Sequence, residues 1–150
     1  MAGGDTVHAT LVAKGQAGVL LRGPPGSGKS DLAFRLLCSS GDWRLVSDDQ
    51  VELRRTGDRL TGRAPAPIAG KLEVRGVGII EVETLESCDI QLVVDLVARH
   101  DVPRLPDANE SVQLLGLNRA FRRLHGLDAS SPLKIALLLT GPPGRNLQKI

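Results

Sequence analysis

The octapeptide Gly23-Pro24-Pro25-Gly26-Ser27-Gly28-Lys29-Ser30 stands between the apolar run Gly18-Val19-Leu20-Leu21 and a run of helix formers beginning near Asp31. Strand, glycine-rich loop and helix in that order make a cradle for phosphate. Small residues let successive N–H groups turn inward, and the following helix offers its positive dipole end to the anion. All eight residues from Gly23 to Ser30 are therefore expected to contact a nucleotide. Lys29 is suited to reach the β- and γ-phosphates as a point charge, and the Ser30 hydroxyl to ligate Mg²⁺ between phosphate oxygens.

A chain of 150 residues fits one domain with a substantial core, and leaves no room for a second domain carrying a macromolecular acceptor. Any such acceptor must come from outside. Nineteen basic against 17 acidic residues leave a net charge of only +2, and no Tyr, two Phe and one Trp are present. That composition makes no nucleic-acid footprint, which needs a basic face and stacking rings. Cys38 and Cys88 lack metal-ligand spacing, which favours a reduced intracellular setting. Neither a leader-like opening nor an apolar run of about 18 residues is present, so a cytoplasmic protein that does not enter a membrane is expected.

Along the chain, Thr6 to Ala13 reads as a strand, Lys14 to Gly18 as a turn, and the residues to Arg22 as a second strand feeding the phosphate loop. Leu32, Ala33, Leu36 and Leu37 recur at helical spacing, and Ser39-Ser40-Gly41 supplies a stop. Arg44 to Ser47 reads as the next strand, so the unit is strand, crossover helix, strand, which favours parallel pairing. Gln50–Arg54 and Arg59–Arg63 flank a hairpin turn at Thr56-Gly57-Asp58. Pro65 and Pro67 mark a surface loop. Lys71 to Val82 holds strand formers and glycines, Asp89 to Ala98 reads as a buried strand, Val102 to Asn109 as an irregular connection, and Leu133 to Leu139 as a last strand ended by Gly141. The fold class that follows is α/β: a P-loop nucleotide-binding core with a mixed, largely parallel sheet and a single principal crossover helix after the phosphate loop.

Phosphoryl transfer needs positioning, charge neutralisation and a group to take the acceptor's proton. Two acidic places qualify. Asp95 follows Leu92-Val93-Val94, but Leu96-Val97 carries the strand past it, so it reads either as a metal ligand or as the partner of a neighbouring basic residue. Asp48-Asp49 ends its strand where the phosphate loop also opens. Two adjacent carboxylates near Mg²⁺ can divide the labour, one held ionised by the metal while the other exchanges a proton. In Lys71 to Ile80, strand alternation sets Glu73 and Arg75 on one face, where a carboxylate and a guanidinium could address metal and phosphate or simply face solvent.

Together these segments resemble the HPr kinase/phosphorylase family, P-loop kinases that phosphorylate a serine of the phosphocarrier HPr and can reverse the reaction with inorganic phosphate. The matching runs are Val7-His8-Ala9, Gly23 to Ser30, Arg44 to Asp49, the signature Leu72-Glu73-Val74-Arg75-Gly76-Val77-Gly78-Ile79-Ile80, and Gly144-Arg145-Asn146-Leu147. The resemblance is to the short form, the catalytic C-terminal domain alone, and implies that residues 1–150 are a single P-loop kinase catalytic domain.

The resemblance implies Asp48 as the general base that takes the serine proton and returns it in reverse. It implies Asp49 and Glu73 beside Mg²⁺ with Ser30, Arg75 holding phosphate, His8 beside acceptor or phosphate, and Arg145 in the loop tied to phosphorolysis. ATP and Mg²⁺ are the implied cofactors, an HPr-like phosphocarrier the partner, and a homo-oligomer, by family a hexamer, the assembly. Two alternatives stay open from the residues: a nucleotide-binding regulatory module without turnover, and a P-loop kinase of small molecules.

Overall fold

With apolar residues at 41% and aromatics at 2%, the core must be built from Leu, Val and Ile. Branched side chains pack well on a pleated surface, and the computed structural model, which describes residues 3–141, is mostly sheet. The strands are β1 (Gly3–His8), β2 (Thr10–Lys14), β3 (Ala17–Arg22), β4 (Trp43–Ser47), β5 (Gln50–Thr56), β6 (Arg59–Arg63), β7 (Lys71–Val74), β8 (Gly78–Glu81), β9 (Ser87–Leu96), β10 (Ser111–Leu114) and β11 (Leu117–Leu124). Two α-helices are described, α1 (Lys29–Ser39) and α2 (Ser131–Thr140), besides two short 3-10 turns at Ala66–Ile68 and Arg99–Asp101.

The main sheet runs in the order β1-β5-β6-β9-β3-β2-β4, with β11 also on β9 and β10 on β11. β7 and β8 form a separate ribbon. Strand β9 changes neighbours along its length. Ser87–Asp89 pair antiparallel with β6, whereas Leu92–Leu96 pair in parallel with β11. Its other edge carries β3 in parallel from Asp89 to Asp95.

The sheet is mixed, as expected, but not largely parallel. Only β3 with β9 and β9 with β11 run parallel, and the remaining pairings are antiparallel. Short hairpins account for β2–β3, β5–β6 and β10–β11, because a two-residue connection can join only antiparallel strands. The unit β3–α1–β4 forms, yet β4 does not lie against β3. β2 has already paired with β3 through the Gly15-Gln16 turn, and β4 pairs antiparallel with the far edge of β2. β3 and β4 consequently point the same way with β2 between them. The carboxyl ends of β4, β3, β9 and β11 all open at one end of the sheet.

The segment expected to be a strand at Leu133–Leu139 is helix α2, so α1 is not the only substantial helix. A short apolar run cannot be assigned by periodicity alone. The deciding cues are Pro132 in the first turn, where its missing N–H costs nothing, and Ser131, whose hydroxyl donates to the His125 carbonyl at 2.5 Å. Ser131, Pro132 and Ile135 are buried, with Ala136 and Leu139 against the core, while Leu133 is 71% exposed. Those buried positions follow helical spacing. Strands β10 and β11 form where no element was anticipated.

Alternation along the strands makes two apolar layers. Val12, Val19, Leu21, Leu45, Leu92 and Val94 face α1 through Leu32 and Leu36. Leu11, Leu20, Val46, Val51, Leu60, Val93 and Phe121 form the layer on the other face. A bulge between Gly18 and Val19 shifts the β3–β9 register, and Ile90 joins Val93 rather than Leu92. Gly18 is needed there because a Cβ would come within 2.5 Å of Cys88 Sγ and 2.9 Å of the Asp89 carbonyl oxygen.

Cys88 is buried, and desolvation, helped by the Asp89 charge, pushes its thiol up to about 12. Cys38 is exposed. Iodoacetamide at pH 8 should therefore label native protein once, at Cys38, and denatured protein twice; equal labelling of both thiols in the native state would contradict this packing. Since the unfolded thiol ionises near 8.5, the stability Cys88 contributes is intact below that pH and is lost as pH rises toward 12.

Candidate functional site

β3 ends at Arg22 and the chain turns at once into the phosphate loop, where the Ser27 N–H donates to the Pro24 carbonyl at 3.0 Å. Gly26 and Gly28 take φ values of 84° and 97°, conformations that a side chain resists. Gly23 has no room for a Cβ against the Ser27 hydroxyl and the Leu96 carbonyl. Helix α1 starts at Lys29, with Gly28 as its left-handed cap, leaving the first-turn N–H groups facing the loop. Lys29 Nζ donates to the Gly23 and Pro24 carbonyls at 2.6 and 3.3 Å. The Ser27 hydroxyl is buried without a hydrogen-bond partner, an orphan in a loop shaped for an anion.

The acidic turn meets this loop directly. Asp48 Oδ1 accepts the Ser30 hydroxyl at 2.7 Å and the Thr10 hydroxyl at 3.0 Å. Asp48 Oδ2 accepts the Glu73 N–H at 3.3 Å. The ribbon can reach that far because Leu72 is fully buried in the layer under α1, which pins β7 beside the end of β4. Asp49 adopts φ 70°, uncommon for a residue other than glycine. Its N–H donates to Thr10 Oγ1 at 3.4 Å and its carbonyl accepts the Ala9 N–H at 3.1 Å.

Of the residues singled out from sequence, Ser30, Asp48 and the Glu73 main chain converge. His8 ends β1 opposite Gln50, next to the acidic turn, and is exposed. Asp49 and Glu73 present exposed side chains on the same rim. Arg75 does not share a strand face with Glu73, because β7 stops at Val74 and Arg75 lies in the turn closed by the Val77 N–H on the Val74 carbonyl at 3.0 Å. Arg145, with Gly144, Asn146 and Leu147, lies outside the described residues. Asp95 is the partner of a basic neighbour, since its carboxylate takes Arg22 Nε at 2.6 Å and Nη2 at 3.1 Å.

Among the described residues no three His, Cys, Asp or Glu side chains converge as a self-sufficient metal cage. The Ser30 and Asp48 oxygens, with Asp49 and Glu73 on the rim, suit a hard cation that takes one or two protein carboxylates and completes its shell with phosphate and water. The residues therefore fit Mg²⁺ delivered with a nucleotide.

Sequence reading missed Thr10. It is fully buried and joins both acids, donating to the Asp48 carboxylate and accepting from the Asp49 amide. The available signal was a lone hydroxyl in the apolar run Ala9-Thr10-Leu11-Val12-Ala13. Also missed was the turn after β11. Arg35 of α1 donates to the Gly126 carbonyl and, at 2.9 Å, to the Asp128 carbonyl, which fixes that turn against the phosphate loop. Arg99 pairs with the Asp128 carboxylate at 2.5 Å, and that hydrogen bond holds the carboxyl below its ordinary range.

The sequence profile of the HPr Serine kinase C-terminal domain matches residues 1–127. The HPr kinase/phosphorylase of an Exiguobacterium species is 38% identical over 152 residues, covering 96% of this chain and 44% of that protein. The protein of the same name from Caldanaerobacter subterraneus subsp. tengcongensis is 37% identical, covering 95% of this chain and 45% of that protein. The chain thus spans less than half the length of these curated relatives. The solved Hpr(Ser) kinase/phosphatase of Coxiella burnetii superposes with a TM-score of 0.77 at 26% identity, over 89% of this chain and 93% of that one.

Thr10→Val should cost about 1–2 kcal/mol in urea unfolding, because it strips a donor from a part-buried carboxylate. Thr10→Ser should recover most of that loss. Equal midpoints for wild type and the Val variant would remove Thr10 from this role.

Proposed function

Because the chain belongs to the HPr serine kinase C-terminal domain family, we propose that it is an ATP-dependent serine kinase acting on an HPr-like phosphocarrier, with phosphorolysis of the phosphoserine as the reverse direction. The observation that carries the proposal is the 2.7 Å bond from Ser30 to Asp48. It sets an acid beside the phosphate-loop hydroxyl, where the terminal phosphoryl group of a bound triphosphate would lie.

In this reading the N–H groups of Gly26 to Ser30 grip the triphosphate, and Lys29 exchanges the Gly23 and Pro24 carbonyls for phosphate oxygens. Mg²⁺, held by Ser30 with Asp49 and Glu73, would neutralise charge developing on the transferred group. Asp48 takes the proton of the attacking serine hydroxyl while the bond from the terminal phosphorus to the β–γ bridging oxygen breaks, so that ADP leaves. Arg75 steadies the phosphoryl oxygens, His8 lies on the acceptor side, and Arg145 serves the reverse step, in which inorganic phosphate attacks the phosphoserine phosphorus, the bond to the serine oxygen breaks, Asp48 returns the proton to that oxygen and pyrophosphate leaves. Assembly as a homo-oligomer, a hexamer by family, a cytoplasmic setting and residues 1–150 acting as one catalytic domain belong to the same proposal. No helix among the described residues is long and apolar enough to cross a membrane.

One observation favours a second division of labour. The Asp48 carboxylate is already engaged by three donors, whereas the Asp49 side chain is exposed on a left-handed turn. That arrangement suits Asp48 as the anchor of Ser30 and its metal, and Asp49 as the base.

Incubation with ATP, Mg²⁺ and an HPr homologue should add one phosphoryl mass to the acceptor, read by intact mass spectrometry. Asp48→Asn should lower the rate by about 10²–10⁴ while leaving ATP affinity near wild type. If Asp49→Asn gives that signature and Asp48→Asn weakens Mg²⁺-dependent ATP binding instead, the roles are exchanged. ATP binding without labelling by wild type would mean a regulatory module.

A further inference from the structure

The loop ends give a bound nucleotide a direction. The acidic turn closes β4 on one side of the phosphate loop, with β2 between them, and β9 followed by β11 lie on the other. Since the reacting phosphoryl group must face Asp48, the rest of the nucleotide has to run away from β4, toward the carboxyl ends of β9 and β11. Ligands in parallel-stranded units collect at those ends.

An apolar side chain stands there in the open. Leu127 is 59% exposed, and a Cβ built on Gly28 would lie 3.1 Å from its Cδ2. Its turn is rigid for physical reasons. Arg35 holds the carbonyls on both sides of Leu127, Arg99 holds the Asp128 carboxylate, and Gly126 packs on the Ser27 main chain too closely to admit a Cβ. The His125 ring bonds the Val97 carbonyl through Nδ1 at 2.9 Å, which joins the β9 and β11 loop ends. Three side chains, Arg35, Arg99 and His125, thus hold an unshielded leucine at the edge of the cradle. Its own packing does not require this, because most of its surface faces water.

Resting on the nucleotide reading above, we propose that Leu127 is the wall against which the base of the bound nucleotide lies, making it the residue that separates a nucleoside triphosphate from bare triphosphate. An aliphatic wall contacts the ring face and leaves the ring edges unread, so ATP and GTP share it.

The test compares ATP, GTP and inorganic tripolyphosphate by calorimetry on wild type, Leu127→Ala and Leu127→Met. Loss of one apolar contact of this size should raise the Kd for both nucleotides about tenfold in the Ala variant and leave tripolyphosphate unchanged. Leu127→Met, which keeps an apolar surface, should bind like wild type. Unchanged nucleotide affinity in Leu127→Ala overturns the wall, as does an equal loss for tripolyphosphate, which would mean a disturbed phosphate loop. If wild type binds none of the three ligands, the nucleotide reading falls together with the wall.

Discussion

The hydroxyl of Ser30 on the carboxylate of Asp48 joins two places that the chain order keeps apart, the first turn of α1 and the end of β4. The hydroxyl and main-chain donors of the candidate site gather around that bond. Thr10 approaches the same carboxylate oxygen from β2, the strand inserted between β3 and β4, and Glu73 approaches the other oxygen from the ribbon. A carboxylate with three donors is held in position before any ligand arrives, and such preorganisation is what an electrostatic site needs.

The scaffold explains why this convergence is possible in a mostly antiparallel sheet. Antiparallel pairings predominate, yet the strands that carry loops into the site all point one way. β2 makes this so by separating β3 from β4 and running against both. β9 completes the arrangement by leaving β6 and taking β11 as neighbour partway along. The half of the sheet around β1, β5 and β6 carries no residue of the candidate site apart from His8 at its margin.

How much was legible in the sequence depended on how local the signal was. The phosphate loop, α1, the β2–β3 and β5–β6 turns and the continuous β9 were readable, because turn glycines and helical or alternating apolar spacing act within a few residues. The direction of the pairings was not, since β2 competes for the edge of β3 through a contact no window reveals. The α2 run failed for a local reason: Leu133 to Leu139 is apolar throughout, and the Pro132 cue was passed over. Within the candidate site, Asp48 and Ser30 were named because motifs carry them, and the Asp95 ambiguity resolved into an ion pair with Arg22. Thr10 makes its contacts with residues distant in sequence, and the lone hydroxyl in its apolar run was the one local sign of them. Arg75 was set on a strand face that the Gly76 turn cuts short.

The pairing of β3 with β9, in which Leu21 meets Val94, has a consequence for how the molecule is made. The glycine-rich loop leaves the ribosome well before the strand that backs it, and the turn that buttresses Ser27 through Gly126 emerges later still. Contacts between such remote segments form slowly, since a long loop must close before they are gained. During synthesis the cradle is therefore unsupported until β9 and β11 have emerged to pack behind it.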